Sequence, residues 1–315
     1  MAQISVARSQ GRLYHKSLVK RMWGFRYLYL LLLIGFLYIV VFKYLPMYGI
    51  IISFKKFSYR AGILNSPWVG LSNYAALFRL SAFWRVVGNT LWISLGKLLV
   101  AFPFPLLLAV LLNEIRLNRF KKTVQTLIYL PHFLSWVLLG GIVFNLLSVN
   151  GGLVNKILVS FGIEAKNFLV DTRYFRPVVY ITQIWKESGW GTIVYLAALA
   201  GINPEYYEAA IVDGAKRFTR FRYITWPEIL PTFVILFILQ TGNVMNAGFD
   251  QILNLYNQAV YPVGDILDTY IYRETLNTGN LSLMTAAGTF KSVINFAFLI
   301  AVDRLAKLCG QSGLY

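Results

Sequence analysis

Glu208, Ala209, Ala210, Asp213 and Gly214 stand in a polar stretch, residues 208–231, between two runs apolar enough to cross a bilayer. Two carboxylates for pairing, two alanines for close approach and a glycine for a sharp turn make a docking surface. Inside the apolar runs the candidate residues are of another kind. Gln240, Asn243 and Asn246 fall within about 120° of one face of a helix. That face offers hydrogen bonds to solute hydroxyls or to a neighbouring helix. Trp185, Trp190 and Tyr195 supply flat faces for stacking on a ring, or for packing. Lys97, Lys186 and Lys291 read as snorkelling side chains near span ends, with attraction of an anionic solute as the alternative. His132, beside Pro131, reads as structural, and no His/Cys cluster suggests a metal.

These residues need a membrane scaffold to hold them. The 315-residue chain is 57% hydrophobic and 14% charged, against about 25% charged in soluble domains. Six stretches meet the length of about 20 apolar residues that a span requires. They run over 27–48, 87–112, 124–147, 177–200, 229–249 and 286–305. The expected fold is therefore all-α and polytopic, a transmembrane domain over 27–305 between an N-terminal segment 1–26 and a tail 306–315. Pro103 and Pro105 interrupt the second span and call for neighbours that satisfy the freed carbonyls. The run Leu28 to Phe42 follows a basic leader (Arg8, Arg12, Lys16, Lys20, Arg21, Arg26) but precedes no small-residue cleavage site. It reads as an uncleaved first span.

The net charge of +17 would suggest nucleic acid in a soluble protein. Here the cations gather between apolar runs, so topology and anionic lipid explain them better, and no nucleic acid is expected. With the N-terminus inside, the short inner segments hold 16 Lys and Arg and the longer outer ones 11. Both termini and residues 208–231 are thus expected in the cytoplasm. The outer segments carry 11 cations and six acids, a weak preference for an anionic solute. Outer segments such as Trp68–Leu71, Tyr74 to Trp84 and Gly151 to Phe161 read as short interfacial helices that cap the membrane face or dock an outer partner. Cys309 is the single cysteine, which excludes an internal disulfide.

Within the cytoplasmic stretch, Asn203 suits a helix N-cap, Pro204 the first helical position and Glu205 the positive helix end. Gly214 permits a change of direction. A second short helix is expected to carry Phe218, Phe221 and Ile224 on one side. Lys216, Arg217 and Arg220 lie towards the other, and Pro227 and Pro231 end the helix. The result is either a plain interfacial hairpin or a rigid helix–turn–helix built to be gripped.

The spacing Glu208-Ala209-Ala210, three residues, Gly214, nine residues, Ile224, two residues, Pro227 resembles the EAA loop of type I ABC importer permeases. Trp226 replaces the usual leucine before that proline. The resemblance covers nearly the whole chain. Trp68 to Tyr74, Asn89-Thr90, Trp185 to Trp190 and Tyr195 to Leu199 are similar to carbohydrate-uptake permeases. Phe42 to Gly49, Tyr129 to Phe133 and Asp268 to Arg273 resemble a narrower oligosaccharide and polysaccharide branch, with the first permease subunit of alginate importers as the candidate. The resemblance implies a coupling loop over 201–228, with Glu208, Ala209, Ala210, Asp213, Gly214, Ile224 and Pro227 contacting a cytoplasmic ATPase dimer. It also implies a second, homologous permease in a heterodimer and a periplasmic or surface-tethered solute-binding protein, all at a bacterial cytoplasmic (inner) membrane. This chain has no Gly-x-x-x-x-Gly-Lys-Ser/Thr phosphate loop, so ATP and Mg are expected on the partner. The alternatives are a permease for another solute class, commonly a homodimer, and a channel or secondary transporter in which 208–231 is a plain connector.

Overall fold

Long apolar runs fold as helices because, in lipid, each backbone group must bond within its own segment. The computed structural model describes Trp23 and residues 25–308. Arg8, Arg12, Lys16, Lys20, Arg21, Cys309 and most of the terminal segments 1–26 and 306–315 lie outside the described residues. The described residues are almost entirely helical, with one isolated bridge between Lys55 and Trp68.

The chain divides into two units, residues 1–51 and 52–315. The first carries α1, Arg26–Ile39, none of whose side chains is buried. A helix apolar on every side faces lipid or another chain. The second unit holds α2 (Ser72–Phe78), α3 (Ser81–Gly96), α4 (Phe104–Asn113), α5 (Asn118–Tyr129), α6 (Trp136–Leu147), α7 (Leu153–Ser160), α8 (Thr172–Ala200), α9 (Pro204–Val212), α10 (Trp226–Thr241), α11 (Phe249–Leu255), α12 (Leu267–Thr278) and α13 (Leu281–Leu308).

Among the described residues, four helical runs are long and apolar enough to cross a membrane: Arg26–Phe54, Ser81–Asn113, Arg217–Thr241 and Leu281–Leu308. The expected third span, 124–147, is not straight. The chain bends by 106° between Asn118–Phe133 and Trp136–Leu147. Pro131 starts the break inside a 3₁₀ turn, and Ser135 restarts the helix by accepting a hydrogen bond from the Leu138 N–H at 3.3 Å. The expected fourth span is α8, 29 residues long but more polar than the others.

Proline behaves differently from the expectation that Pro227 and Pro231 end a helix. The helix runs on from Arg217 to Thr241 with both inside it. A π turn spans Phe221–Thr225, Trp226 N–H reaches back to the Phe221 carbonyl, and Pro227 follows. The same order recurs at Lys97–Ala101, Phe102, Pro103 and at Val40–Tyr44, Leu45, Pro46. On leaving a π turn the register drops from i→i+5 to i→i+4, so a carbonyl is passed over there. Each proline, which lacks an N–H and whose ring crowds the i−4 carbonyl, thus falls where the i→i+4 ladder is already interrupted.

Three buried clusters hold the second unit together. One joins Ile93, Leu139, Val143, Phe175 and Ile252. A second joins Phe83, Val86, Met245, Leu267 and Met284. The third joins Leu106, Ala109, Tyr195, Leu199 and Ile229. Next to the second cluster, Asp265 is 1% exposed and grips Arg273 through both oxygens at 2.7 and 3.0 Å. That hydrogen-bonded carboxylate raises the guanidinium pKa still further. Lys291 bonds both oxygens of Asp268 at 2.7 and 2.8 Å, so it is ion-paired and does not snorkel.

Candidate functional site

The polar stretch folds as its residue types dictate. Asn203 caps α9 by accepting from the Glu205 N–H at 3.0 Å, with Pro204 in the first turn. Gly214 takes φ +76°, the left-handed region that a Cβ disfavours. The Gly214 and Ala215 N–H groups close the helix end on the Ile211 and Ala210 carbonyls at 3.0 and 2.8 Å. The two arms are tied by Tyr207 Oη and Thr225 Oγ1 at 2.9 Å. The second arm is anchored by an ion pair between Arg217 and Glu114 at 3.5 Å.

Ala209, Ala210, Asp213, Ile224 and Pro227 come together along one groove of about 420 Å³, completed by Tyr206, Tyr223 and Glu228. Glu208 stands outside that groove, exposed, with no ion pair among the described residues. Val212 is 88% exposed and Phe218 72%. Both are large apolar side chains presented on a charged loop.

A second concave site lies among α4, α8 and α10. Its volume is about 400 Å³, and its walls include Lys97, Gln183, Glu187, Ser188, Trp190, Tyr195, Gln240 and Asn243. That size falls within the range of small-molecule sites, about 300–1,000 Å³. Of the residues singled out from sequence, Gln240, Asn243, Trp190 and Tyr195 share this cavity. Two do not. Trp185 lines a separate, wholly apolar cleft of about 390 Å³ with Val178 and Ile181. Asn246 lies off the wall, donating to Asn243 Oδ1 at 3.0 Å. The helical face expected to unite Gln240, Asn243 and Asn246 fails because α10 ends at Thr241. A turn runs from Gly242, and Gly248 at φ +94° opens α11.

Gln183, Glu187 and Ser188 are wall residues that reading the sequence missed; Lys97, read as snorkelling with attraction of an anionic solute as the alternative, is on the wall too. Gln183, Glu187, Trp190 and Val194 recur at the three- and four-residue spacing of one helix face, a signal present in the sequence. Lys97 gave no such signal, because its place depends on a turn 150 residues away. Ser188 Oγ and Tyr195 Oη are buried with no hydrogen-bond partner among the described residues. Buried hydroxyls left without a partner beside a cavity are poised to bond its contents.

The wall is fixed by close contacts. A Cβ on Gly189 would overlap the Ile128 carbonyl, and one on Gly191 would lie 2.9 Å from Pro105. Glycine therefore lets α8 press against α5 and α4. Thr192 Oγ1 also donates to the Pro105 carbonyl at 3.2 Å, serving the proline-interrupted span. Lys186 does not snorkel. It is 7% exposed and donates to the His132 and Leu134 carbonyls at 2.8 and 2.6 Å. These are the groups freed by the break between α5 and α6. Glu187 holds the other side of that break, its carboxylate 2.9 Å from His132 Nδ1. The His132 ring stacks on Trp190 with centroids 4.6 Å apart. His132 therefore has the structural part expected of it, and it also orients two wall residues. Lys97 likewise does not snorkel; its ammonium donates to the Ala247 carbonyl at 2.6 Å and to Gln251 Oε1.

Residues 101–309 match the family described as "Binding-protein-dependent transport system inner membrane component". The chain is 44% identical over 290 residues to the polygalacturonan/rhamnogalacturonan transport system permease protein YteP of Bacillus subtilis (strain 168), covering 92% of this chain and 90% of the relative. Protein LplB of the same organism is also 44% identical over 290 residues, covering 92% of this chain and 91% of that protein. Among solved structures, a chain of a bacterial alginate ABC transporter in complex with alginate pentasaccharide-bound periplasmic protein superimposes with a TM-score of 0.87. It is 36% identical, with 94% of this chain and 99% of that chain covered.

Proposed function

This chain belongs to the binding-protein-dependent transport system inner membrane component family, and from that premise we propose that it is one permease subunit of an ATP-driven importer of oligosaccharides or polysaccharides, acidic ones included. The observation that carries the proposal is the cavity beside α8. Aromatic rings, side-chain amides and two orphan hydroxyls on one wall are what a polyhydroxylated ring needs for stacking and hydrogen bonding. The substrate class agrees with the names of similar proteins, which include permeases for polygalacturonan/rhamnogalacturonan and arabinooligosaccharides and a transporter of alginate.

In this reading the chain catalyses no reaction and binds no cofactor. A separate cytoplasmic ATPase pair holds ATP and Mg, and its closure moves the permease through the 201–228 loop. Ala209 and Ala210 let the partner approach the groove closely, Gly214 fixes the angle between the arms, and Glu208 supplies a charged contact. A homologous permease forms the other half of the pathway in the bacterial inner membrane, and a solute-binding protein delivers the sugar from outside. Two of these partners explain an unpartnered surface: the loop groove and the apolar sides of α1.

The test is reconstitution of the complete complex in proteoliposomes, with ATP-dependent uptake measured for neutral and acidic oligosaccharides and for amino acids. Uptake of oligosaccharides that requires the ATPase is expected, from a complex holding two different permease chains. Uptake without any ATPase, uptake of amino acids alone, or a permease homodimer would overturn the reading.

A further inference from the structure

We infer that Lys97 reads the carboxylate of an acidic sugar in the cavity beside α8, making that cavity selective for uronate-type over neutral rings; the inference rests on the reading of the cavity as a sugar path. An ammonium at membrane depth is costly, and such groups are kept where they face a pathway or pair with each other. Three lysines lie within the apolar stretches of the second unit, and they differ. Lys291 is neutralised by Asp268. Lys186 is engaged by the two carbonyls of the helix break and lies off the cavity wall. Lys97 is the lysine on the wall, and its two partners are uncharged oxygens, Ala247 O and Gln251 Oε1. An ammonium carries three N–H donors, so one remains for a ligand.

The surroundings are shaped to admit this group. Gly248 adopts φ +94°, and a Cβ there would lie 2.6 Å from the Lys97 ammonium nitrogen. A larger residue would displace it. If Lys97 served only to hold the 242–248 turn, a neutral donor would suffice; the full positive charge acts on Glu187 across the cavity and on any anion that enters it. Gln251 is itself fixed, its amide donating to the Val179 carbonyl at 2.7 Å and Thr182 Oγ1 at 2.8 Å. The ammonium is therefore held in place before a ligand arrives, which spares the ordering cost on binding.

The wall also bears one carboxylate, Glu187, tied to His132. A uronate residue carries a carboxylate and several hydroxyls. Lys97 attracts the former, while Glu187 repels it and accepts from the latter. The orphan hydroxyls of Ser188 and Tyr195 and the rings of Trp190 and Phe102 complete a site for one oriented acidic ring. A neutral sugar uses the rings and hydroxyls but leaves the charge unanswered.

The test uses the complete complex in proteoliposomes with trigalacturonate and galactotriose as probes. Lys97→Gln keeps amide donors and removes the charge; Lys97→Arg keeps the charge. Lys97→Gln is expected to lower trigalacturonate uptake at least about tenfold, the effect of a lost charged hydrogen bond. Lys97→Arg is expected to stay within a few-fold of wild type. Galactotriose uptake, where wild type shows it, and the melting temperature of the complex are expected to be alike in both variants. If wild type carries the acidic sugar alone, the contrast between Gln and Arg decides. Equal loss in both variants, equal loss of both sugars, or undiminished trigalacturonate uptake in Lys97→Gln overturns the inference. Failure of wild type to move either sugar overturns instead the sugar-path reading beneath it.

Discussion

In the 208–231 loop, Glu208 and Asp213 are exposed and pair with no cation among the described residues, and Val212 is 88% exposed. On the cavity wall Lys97, and just behind it Lys186, are each 7% exposed and each already bonds two oxygens of the chain itself. The loop is a surface left open, with its polar groups facing water. The cavity is an interior that must hold its own backbone together in lipid. Water tolerates unsatisfied groups and hydrocarbon does not. Substitutions in the cavity are therefore expected to show first as lost stability. In the loop they are expected to show as lost function in a well-folded chain.

The sharpest break in that contrast is Lys186→Met. It keeps most of the length of the side chain but strips the donors from the His132 and Leu134 carbonyls at the bend between α5 and α6. Two charge-assisted hydrogen bonds lost in a buried place amount to about 3–5 kcal/mol. The expected result is a complex that melts well below wild type or fails to assemble in detergent. A melting temperature within experimental error of wild type would show that the bend needs no such donor. Gly189→Ala comes next. The added methyl overlaps the Ile128 carbonyl, which is backbone and cannot rotate away, so α8 must withdraw from α5 at a cost of about 1–3 kcal/mol. Thermal unfolding checks this, and an unchanged melting temperature would sink the claim of close approach.

How much of each region was legible in the sequence follows the same division. The loop is nearly all local. Asn203, Pro204 and Gly214 act within four residues of themselves, so cap, first turn and reversal were readable, and the groove residues lie within one 23-residue stretch, Tyr206 to Glu228. Its one misreading, Pro227 and Pro231 as terminators, came from treating proline alone. A π turn lies just before Pro227, so the proline falls where the i→i+4 ladder is already interrupted, and the helix continues through it. The cavity is long-range. Trp190 and Tyr195 announced themselves by type, but Trp185, equally aromatic, faces an apolar cleft, and residue type could not distinguish them. Asn246 was misplaced by assuming that α10 continued past Gly242. The lysines were misread because their partners, Ala247 for Lys97 and the carbonyls near Pro131 for Lys186, exist only where another helix breaks.

Gly214→Ala tests the boundary between the two regimes. A Cβ there meets no neighbouring atom, so the whole effect is the strain of placing alanine at φ +76°, about 1 kcal/mol. Because the loop is exposed, that strain is relieved locally by opening the turn, and the global melting temperature is expected to fall little. The geometry between the two arms should change instead, with weaker recovery of the ATPase subunit in pull-downs. A large loss of thermal stability with intact ATPase recovery would place Gly214 in the fold rather than in the docking surface.

Glu208→Ala is expected to have the smallest structural effect and is the cleanest comparison with Lys186→Met. The side chain is exposed and makes no ion pair or hydrogen bond among the described residues, and alanine is the better helix former. The stability change is therefore expected to stay within about 0.5 kcal/mol. If the loop is an unfinished surface, uptake driven by ATP should nevertheless fall, because the missing charge belongs to a contact made outside this chain. The two measurements must be made on one preparation: melting temperature of the complex, and uptake per ATP hydrolysed. Unchanged melting with reduced coupling places Glu208 at the partner interface. Unchanged melting together with wild-type uptake and ATPase recovery would leave the exposed carboxylate without a role, and residues 208–231 would then be a connector between two spans.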